Sequence, residues 1–115
     1  MAERLRKPPA PGRFEAYLVT LDPVVGSEIA KTRPCVVVSP DRINVSLATA
    51  LIVPLTSRRR GWEHRVALLF DGVRGELCTE QLRAVSRERL GRFLGVLDPI
   101  TARRLATSLQ ALFAF

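Results

Sequence analysis

One histidine and two cysteines are the whole supply of soft metal ligands in this chain of 115 residues. Cys35 and Cys78 lie far apart, neither belongs to a C-x-x-C pair, and His64 is the only imidazole. A four-ligand structural zinc site cannot be assembled from them. A histidine-centred nucleophilic triad is equally hard to build, because no G-x-S-x-G occurs. Both cysteines sit in apolar stretches and read as buried, reduced thiols. No apolar run approaches the roughly 20 residues that span a bilayer. The longest, Val66 to Phe70 and Cys35 to Val38, have the length of strands. The basic N-terminus is not followed by an apolar core, so it does not read as a secretory leader, and a cytoplasmic location is expected. There are no internal repeats.

What is present is an ordinary globular balance, 47% apolar and 25% charged, with a basic excess. The length fits one domain with a modest core. Eighteen basic and eleven acidic residues leave a net charge of +7, and the physical reading of such an excess is binding to a polyanion, nucleic acid being the commonest. Arg4, Arg6, Lys7 and Arg13 face only Glu3 in the first thirteen residues, yet the rest of the chain stays basic without them. Pro8, Pro9, Pro11 and Gly12 deny this segment regular structure. Residues 1–13 are expected to form a flexible basic arm and residues 14–115 a single domain.

From residue 15 the pattern is one of short strands. Glu15 to Leu21 is stopped by Asp22-Pro23, and Pro34 to Ser39 is β-branched and continuous, which suggests burial on both faces. Thr49 to Leu55 follows, with Pro54 arguing for a strand end or an edge. His64 to Phe70 and Glu76 to Glu80 complete five strands, with Asp71-Gly72 as the turn between them, and a further short strand is expected over Arg92 to Leu97. Asp98 is a good helix N-cap and Pro99 suits the first helical position. Ala102, Leu105, Ala106, Leu109, Leu112 and Phe113 then recur on one helical face. Strands followed by a terminal helix indicate a small β-barrel or half-barrel with a helix packed on it.

The most informative stretch runs from Asp22-Pro23 through Gly26-Ser27-Glu28 to Lys31-Thr32-Arg33-Pro34, just before the hydrophobic strand Val36-Val37-Val38-Ser39. Asp41-Arg42, Val53-Pro54-Leu55-Thr56-Ser57, Glu80-Gln81-Leu82-Arg83 and Arg89-Leu90-Gly91 follow in order. This succession resembles the MazF/PemK toxins of type II toxin–antitoxin systems, over about residues 14 to 113. The resemblance implies an SH3-like small barrel, mainly β with a C-terminal α-helix, that forms a homodimer. It also implies a metal-independent, cofactor-free endoribonuclease, an mRNA interferase. In this activity the 2′-hydroxyl of single-stranded RNA attacks its own phosphate, leaving a 2′,3′-cyclic phosphate and a 5′-hydroxyl.

Arg33 and Thr56 match the family's catalytic arginine and threonine. Glu28, Lys31 and Thr32 match a loop that closes over the RNA. Gln81 and Arg83 match positions near the dimer groove, and Ser57 and Arg58 extend the RNA-binding set. An arginine suits such a reaction, because a planar fork of donors that never loses its proton stabilises charge building on phosphate oxygens, and Thr56 can add one hydrogen bond. Arg58-Arg59-Arg60 reads either as a phosphate-holding loop or as a solvated one. Trp62 reads as a base-stacking platform or as packing, His64 as a strand residue, and Glu80 as a general base or a member of an ion pair. Glu28 is read as an RNA contact, or as a cap or a partner of Lys31. The implied protein partner is a MazE-like acidic antitoxin whose tail lies along the basic groove.

The pattern departs from the family's at a few places. The family opens with R-G and an acidic residue where this chain has Arg13-Phe14-Glu15, and Tyr17 stands where a tryptophan is common. Cys78 and Glu80 replace an arginine and an aspartate used by some plasmid-borne members, so that the Arg33/Thr56 arrangement is the one carried over. Two other readings use the same fold: a CcdB-like toxin that binds a protein target such as gyrase and cuts nothing, and an inactive relative that binds RNA or antitoxin. The intact K-x-R-P and P-L-T-S segments favour the nuclease.

Overall fold

A computed structural model of the chain describes residues 9–115. The elements, in order, are β1 (Glu15–Thr20), β2 (Thr32–Val37), a one-turn helix α1 (Asp41–Asn44), β3 (Thr49–Thr56), β4 (Val66–Phe70), β5 (Val73–Leu77), β6 (Arg83–Ser86), β7 (Leu90–Val96) and α2 (Pro99–Leu112). Two short 3-10 turns, Thr79–Gln81 and Arg87–Arg89, flank β6. The strands are antiparallel and follow the order β4-β5-β3-β2-β1-β7, with β6 also paired to β3. The result is mainly β, a curled half-barrel closed on one side by α2.

Strand β3 is the branch point. Its first half, Thr49 to Ile52, pairs with β6, whereas Leu55 and Thr56 pair with β5. Pro54 falls between these two ladders and is fully buried. It therefore neither ends the strand nor marks an edge: its missing N–H lies where β3 passes from one partner to the next, and its carbonyl accepts the Cys78 N–H at 2.8 Å. The Asp71-Gly72 turn has φ of 52° and 77°, the two left-handed central residues of a type I′ hairpin, and joins Phe70 to Val73 in register. The expected strand over Glu76 to Glu80 is displaced: β5 ends at Leu77, and residues 79–81 form a 3-10 turn.

Alternation along the strands builds two cores on opposite faces of one sheet. Ala16, Val36, Val38, Val53 and Leu77 point into the half-barrel, where Ala102 and Leu105 of α2 cover them. Val19, Leu21, Cys35, Val37, Ala50, Ile52 and Val85 pack on the other face. The double burial of β2 expected from its β-branched run is thus explained. Helix α2 begins as expected, with the Asp98 carboxylate accepting the Thr101 N–H at 2.9 Å. Its apolar stripe outlasts the core, however: Leu112 and Phe113 are exposed.

Phe14 occupies the position of the family's glycine and adopts φ of 69°, in the left-handed region that glycine enters freely. It is held there by its N–H to the Val37 carbonyl (2.6 Å) and by the Leu97 N–H to its own carbonyl (3.0 Å), while its ring packs against the first core. Of the expected flexible arm, residues 1–8 lie outside the described residues. Pro11 is buried, its carbonyl accepting from Asn44 Nδ2 (3.0 Å), and the Arg13 N–H is held by Asp41 (2.8 Å).

Candidate active site at the open ends of β2 and β3

The β2–β3 register pairs Cys35 with Pro54 and Val36 with Val53. The paired residues end at Cys35 and Pro54, beyond which Thr56 pairs with Glu76 of β5; counted on along both strands, the register gives Arg33 and Thr56 equivalent positions at their open ends. By alternation Arg33 shares a face with Cys35 and Val37, and Thr56 shares one with Ile52 and Pro54, the same side of the sheet. Arg33 is exposed and Thr56 half-buried. The Thr56 hydroxyl oxygen accepts the Arg58 N–H at 3.1 Å, which leaves its own proton free to donate outward.

The loop from residue 21 to residue 31 hangs beside this pair on a clamped neck. Leu21 N–H donates to the Lys31 carbonyl (2.8 Å), and the Asp22 carboxylate accepts the Lys31 N–H (2.9 Å). Lys31 itself has φ of 67°. Gln81 and Arg83, expected at the RNA, reach this neck instead: the Gln81 amide oxygen accepts the Ile29 N–H (2.7 Å), and Arg83 Nη1 donates to the Leu21 carbonyl (3.1 Å). Arg89 adds donors to the Thr20 and Asp22 carbonyls. The neck-holding role of Arg89 is invisible in sequence, because its partners are main-chain atoms nearly seventy positions away. Glu28 folds back on its own loop, accepting the Val25 N–H at 2.7 Å. Lys31 and Thr32 are exposed near Arg33, and Ser57 and Arg58 are exposed just beyond Thr56.

The basic loop after β3 is anchored from below. Glu76, only 4% exposed, accepts the N–H groups of Arg60 and Gly61, each at 2.9 Å, and Arg65 Nη1 at 3.3 Å. Burial alone would raise its carboxyl, but these donors outweigh that and hold it below the ordinary carboxylate value. Arg65 also bridges to Glu80, stacks over Trp62 with its guanidinium 4.3 Å from the ring centroid, and has a nearly buried side chain. Glu80 is therefore in an ion pair. Burial works to raise its carboxyl too, yet Arg65 and His64 together keep it low, which makes it a weak base at neutral pH. Trp62 is half-exposed but carries Arg65 on its ring, with His64 tilted beside it at 5.7 Å. His64 lies ahead of β4 and not in it, its main-chain carbonyl taking the Thr79 and Ser108 hydroxyls. No side-chain pattern marks Glu76 as this anchor, because Arg74 precedes it in the same strand and two of its partners are main-chain N–H groups.

Both thiols are buried, and burial is the main reason the Cys35 thiol is pushed up to about 12 and that of Cys78 to about 11. Among the described residues no three His, Cys, Asp or Glu side chains are placed to hold a metal ion. None of the described helices is long and apolar enough to cross a membrane. The site presents an exposed guanidinium, a hydroxyl donor and a row of flanking cations. Such a set binds a phosphodiester and stabilises charge on its oxygens.

Comparison with known proteins agrees with this fold. Residues 12–113 match the family described as PemK-like, MazF-like toxin of type II toxin-antitoxin system. The chain is 37% identical over 109 residues to endoribonuclease MazF9 of Mycobacterium tuberculosis, covering 85% of this chain and 92% of that one. The crystal structure of MazF from Deinococcus radiodurans superposes with a TM-score of 0.83 at 24% identity, over 94% of this chain and 100% of that one. A mycobacterial endoribonuclease solved with its cognate antitoxin gives 0.78 at 24% identity, over 92% and 99%. A half-barrel with its helix, a K-x-R-P strand facing P-L-T-S and a family match over nearly the whole length lead to one conclusion: the chain belongs to the PemK/MazF-like toxins of type II toxin–antitoxin systems.

Proposed function

We propose that this MazF-type toxin is a metal-independent endoribonuclease of single-stranded RNA, with Arg33 and Thr56 at its centre. The observation that carries the proposal is the β2–β3 register, which, counted on past Cys35 and Pro54, puts Arg33 and Thr56 on one face at the open end of the two strands. The substrate's 2′-hydroxyl attacks the adjacent phosphorus in line. The P–O5′ bond breaks as the 2′-hydroxyl gives its proton to water and the departing 5′-oxygen takes one from water, leaving a 2′,3′-cyclic phosphate on one fragment and a 5′-hydroxyl on the other. Arg33 donates to the non-bridging oxygens as their charge grows, and the Thr56 hydroxyl donates a further hydrogen bond. Lys31, Thr32, Ser57 and Arg58 line the approach to this pair, whereas Gln81 and Arg83 act on RNA through the loop neck they hold. Family membership supports the rest of the reading: a cytoplasmic homodimer, silenced by an acidic antitoxin that covers the basic groove.

The test is cleavage of a long unstructured RNA in excess EDTA by the native protein and by Arg33→Ala. Discrete fragments with 5′-hydroxyl ends are expected from the native protein. The variant should lose about 100-fold or more in kcat, the scale of removing one oxyanion donor. Intact RNA from folded native protein would sink the reading in favour of a toxin that binds a protein target.

A further inference from the structure

Glu76 stands directly across the β3–β5 ladder from Thr56. Its carboxylate is nearly buried, yet its partners are the main chain of an exposed, strongly basic loop. One oxygen takes the Arg60 N–H and the other the Gly61 N–H. Gly61 has φ of 70°, so the chain turns sharply at this contact, and Trp62 then lies under Arg65. Arg65 in turn spans Glu76 and Glu80, which fixes the carboxylate from the far side. Arg58, Arg59 and Arg60 are all exposed on a loop that starts at the Thr56 hydroxyl, with the Arg60 guanidinium 5.7 Å from the Trp62 ring centroid. Three neighbouring guanidiniums repel one another, and a loop carrying them would spread in solution without a countercharge. The buried carboxylate supplies that countercharge and sets the backbone geometry together.

We propose that Glu76 is a positioning residue that holds the Arg58–Gly61 loop in a preformed arrangement for RNA phosphates flanking the scissile one. The idea rests on the ribonuclease reading above and adds to it the way this loop is kept ready. It predicts that Glu76 acts on RNA binding and not on the chemical step, because it touches loop main chain and no reacting atom. Glu76→Gln keeps the shape but offers one oxygen to two N–H donors and removes the charge facing Arg65.

The experiment measures kcat and KM for a defined single-stranded RNA at several salt concentrations, with native protein, Arg33→Ala, Glu76→Gln and Gly61→Ala. Native cleavage that Arg33→Ala abolishes establishes the ribonuclease, and no native cleavage fails that reading alone. For Glu76→Gln a KM about tenfold higher at unchanged kcat is expected, the effect of losing one charge-assisted hydrogen bond's worth of loop order. The dependence of log KM on log salt should also become shallower, by about 0.7 for each phosphate that the loop no longer neutralises. Native KM and salt slope in a folded Glu76→Gln protein would overturn the proposal. A fall in kcat at native KM would overturn it as well, by placing Glu76 at the chemistry. Should Glu76→Gln fail to fold, Gly61→Ala decides, since its added Cβ meets nothing within 4 Å and strains only the loop. A raised KM there supports the positioning role and an unchanged one refutes it.

Discussion

Strands β3 and β5 come very close together beside Thr56, and this approach depends on Gly75. A Cβ at Gly75 would stand 2.6 Å from the Thr56 carbonyl oxygen and 3.1 Å from Leu55 Cδ1. The oxygen is main chain and cannot swing aside. A comfortable carbon–oxygen contact begins near about 3.3 Å, so Gly75→Ala must push β5 away from β3 by roughly 0.7 Å. That movement strains the short ladder of Leu55 with Leu77 and Thr56 with Glu76. Overpacking of this kind costs about 1–3 kcal/mol. For a domain of this size that corresponds to a Tm lower by roughly 5–15 °C. Thr56 moves with its carbonyl, so kcat for RNA should fall several-fold even at temperatures where the protein is fully folded. Thermal unfolding followed by circular dichroism, paired with single-turnover cleavage, measures both. A Gly75→Ala protein that melts within about 2 °C of the native one, with native cleavage, would refute the close-approach argument.

Further outcomes follow from the same geometry. Phe14 holds φ of 69°, so Phe14→Ala should be less stable than Phe14→Gly by about 1 kcal/mol, the reverse of the usual order for these residues; urea titration of the two variants checks it. Glu76 and Glu80 both have carboxyls held below the ordinary value of 4.5 in the folded protein. The stability they contribute is therefore complete above that value and is lost as pH falls through the folded ones, so Tm should drop steeply below about pH 4.5 and less steeply in Glu80→Gln. With thiols pushed up to about 12 and about 11, Cys35 and Cys78 should resist iodoacetamide at pH 8 in the folded protein and react fully in denaturant; mass spectrometry counts the adducts.

Features written in local chemistry were legible before the fold was known. Asp71-Gly72 turns the chain because both central residues tolerate positive φ, and Asp98-Pro99 starts α2 because one caps and the other needs no N–H. Pairing was harder. Pro54 reads as a strand terminus by the rule that it cannot donate, and only the branching of β3 shows why no donor is needed there. Strand β6 is four residues long, with Arg83 and Ser86 at its ends, too short for alternation to register. The stretch from Glu76 to Glu80 reads as one strand, but β5 ends at Leu77 and Cys78 leads into a 3-10 turn. At the site, Arg33 and Thr56 came from the family resemblance, and the register of β2 and β3, counted on past Cys35 and Pro54, puts both on one face of the sheet. The roles of Gln81, Arg83, Arg89 and Glu76 came from main-chain partners that no side-chain pattern encodes.

The two cores on opposite sides of β2 make that strand intolerant of slippage. Sliding it by one residue would turn Val36 outward from the half-barrel and bring Cys35 and Val37 into it, exchanging both apolar sets at once. An ordinary one-sided strand would be corrected by a single buried face; here each face proofreads the other. Arg33 lies only two positions from this doubly locked segment, and its alignment with Thr56 is inherited from packing that never meets solvent. Drift on the exposed surface can thus reshape the loops beyond β2 and β3 while Arg33 and Thr56 keep their places at the strand ends.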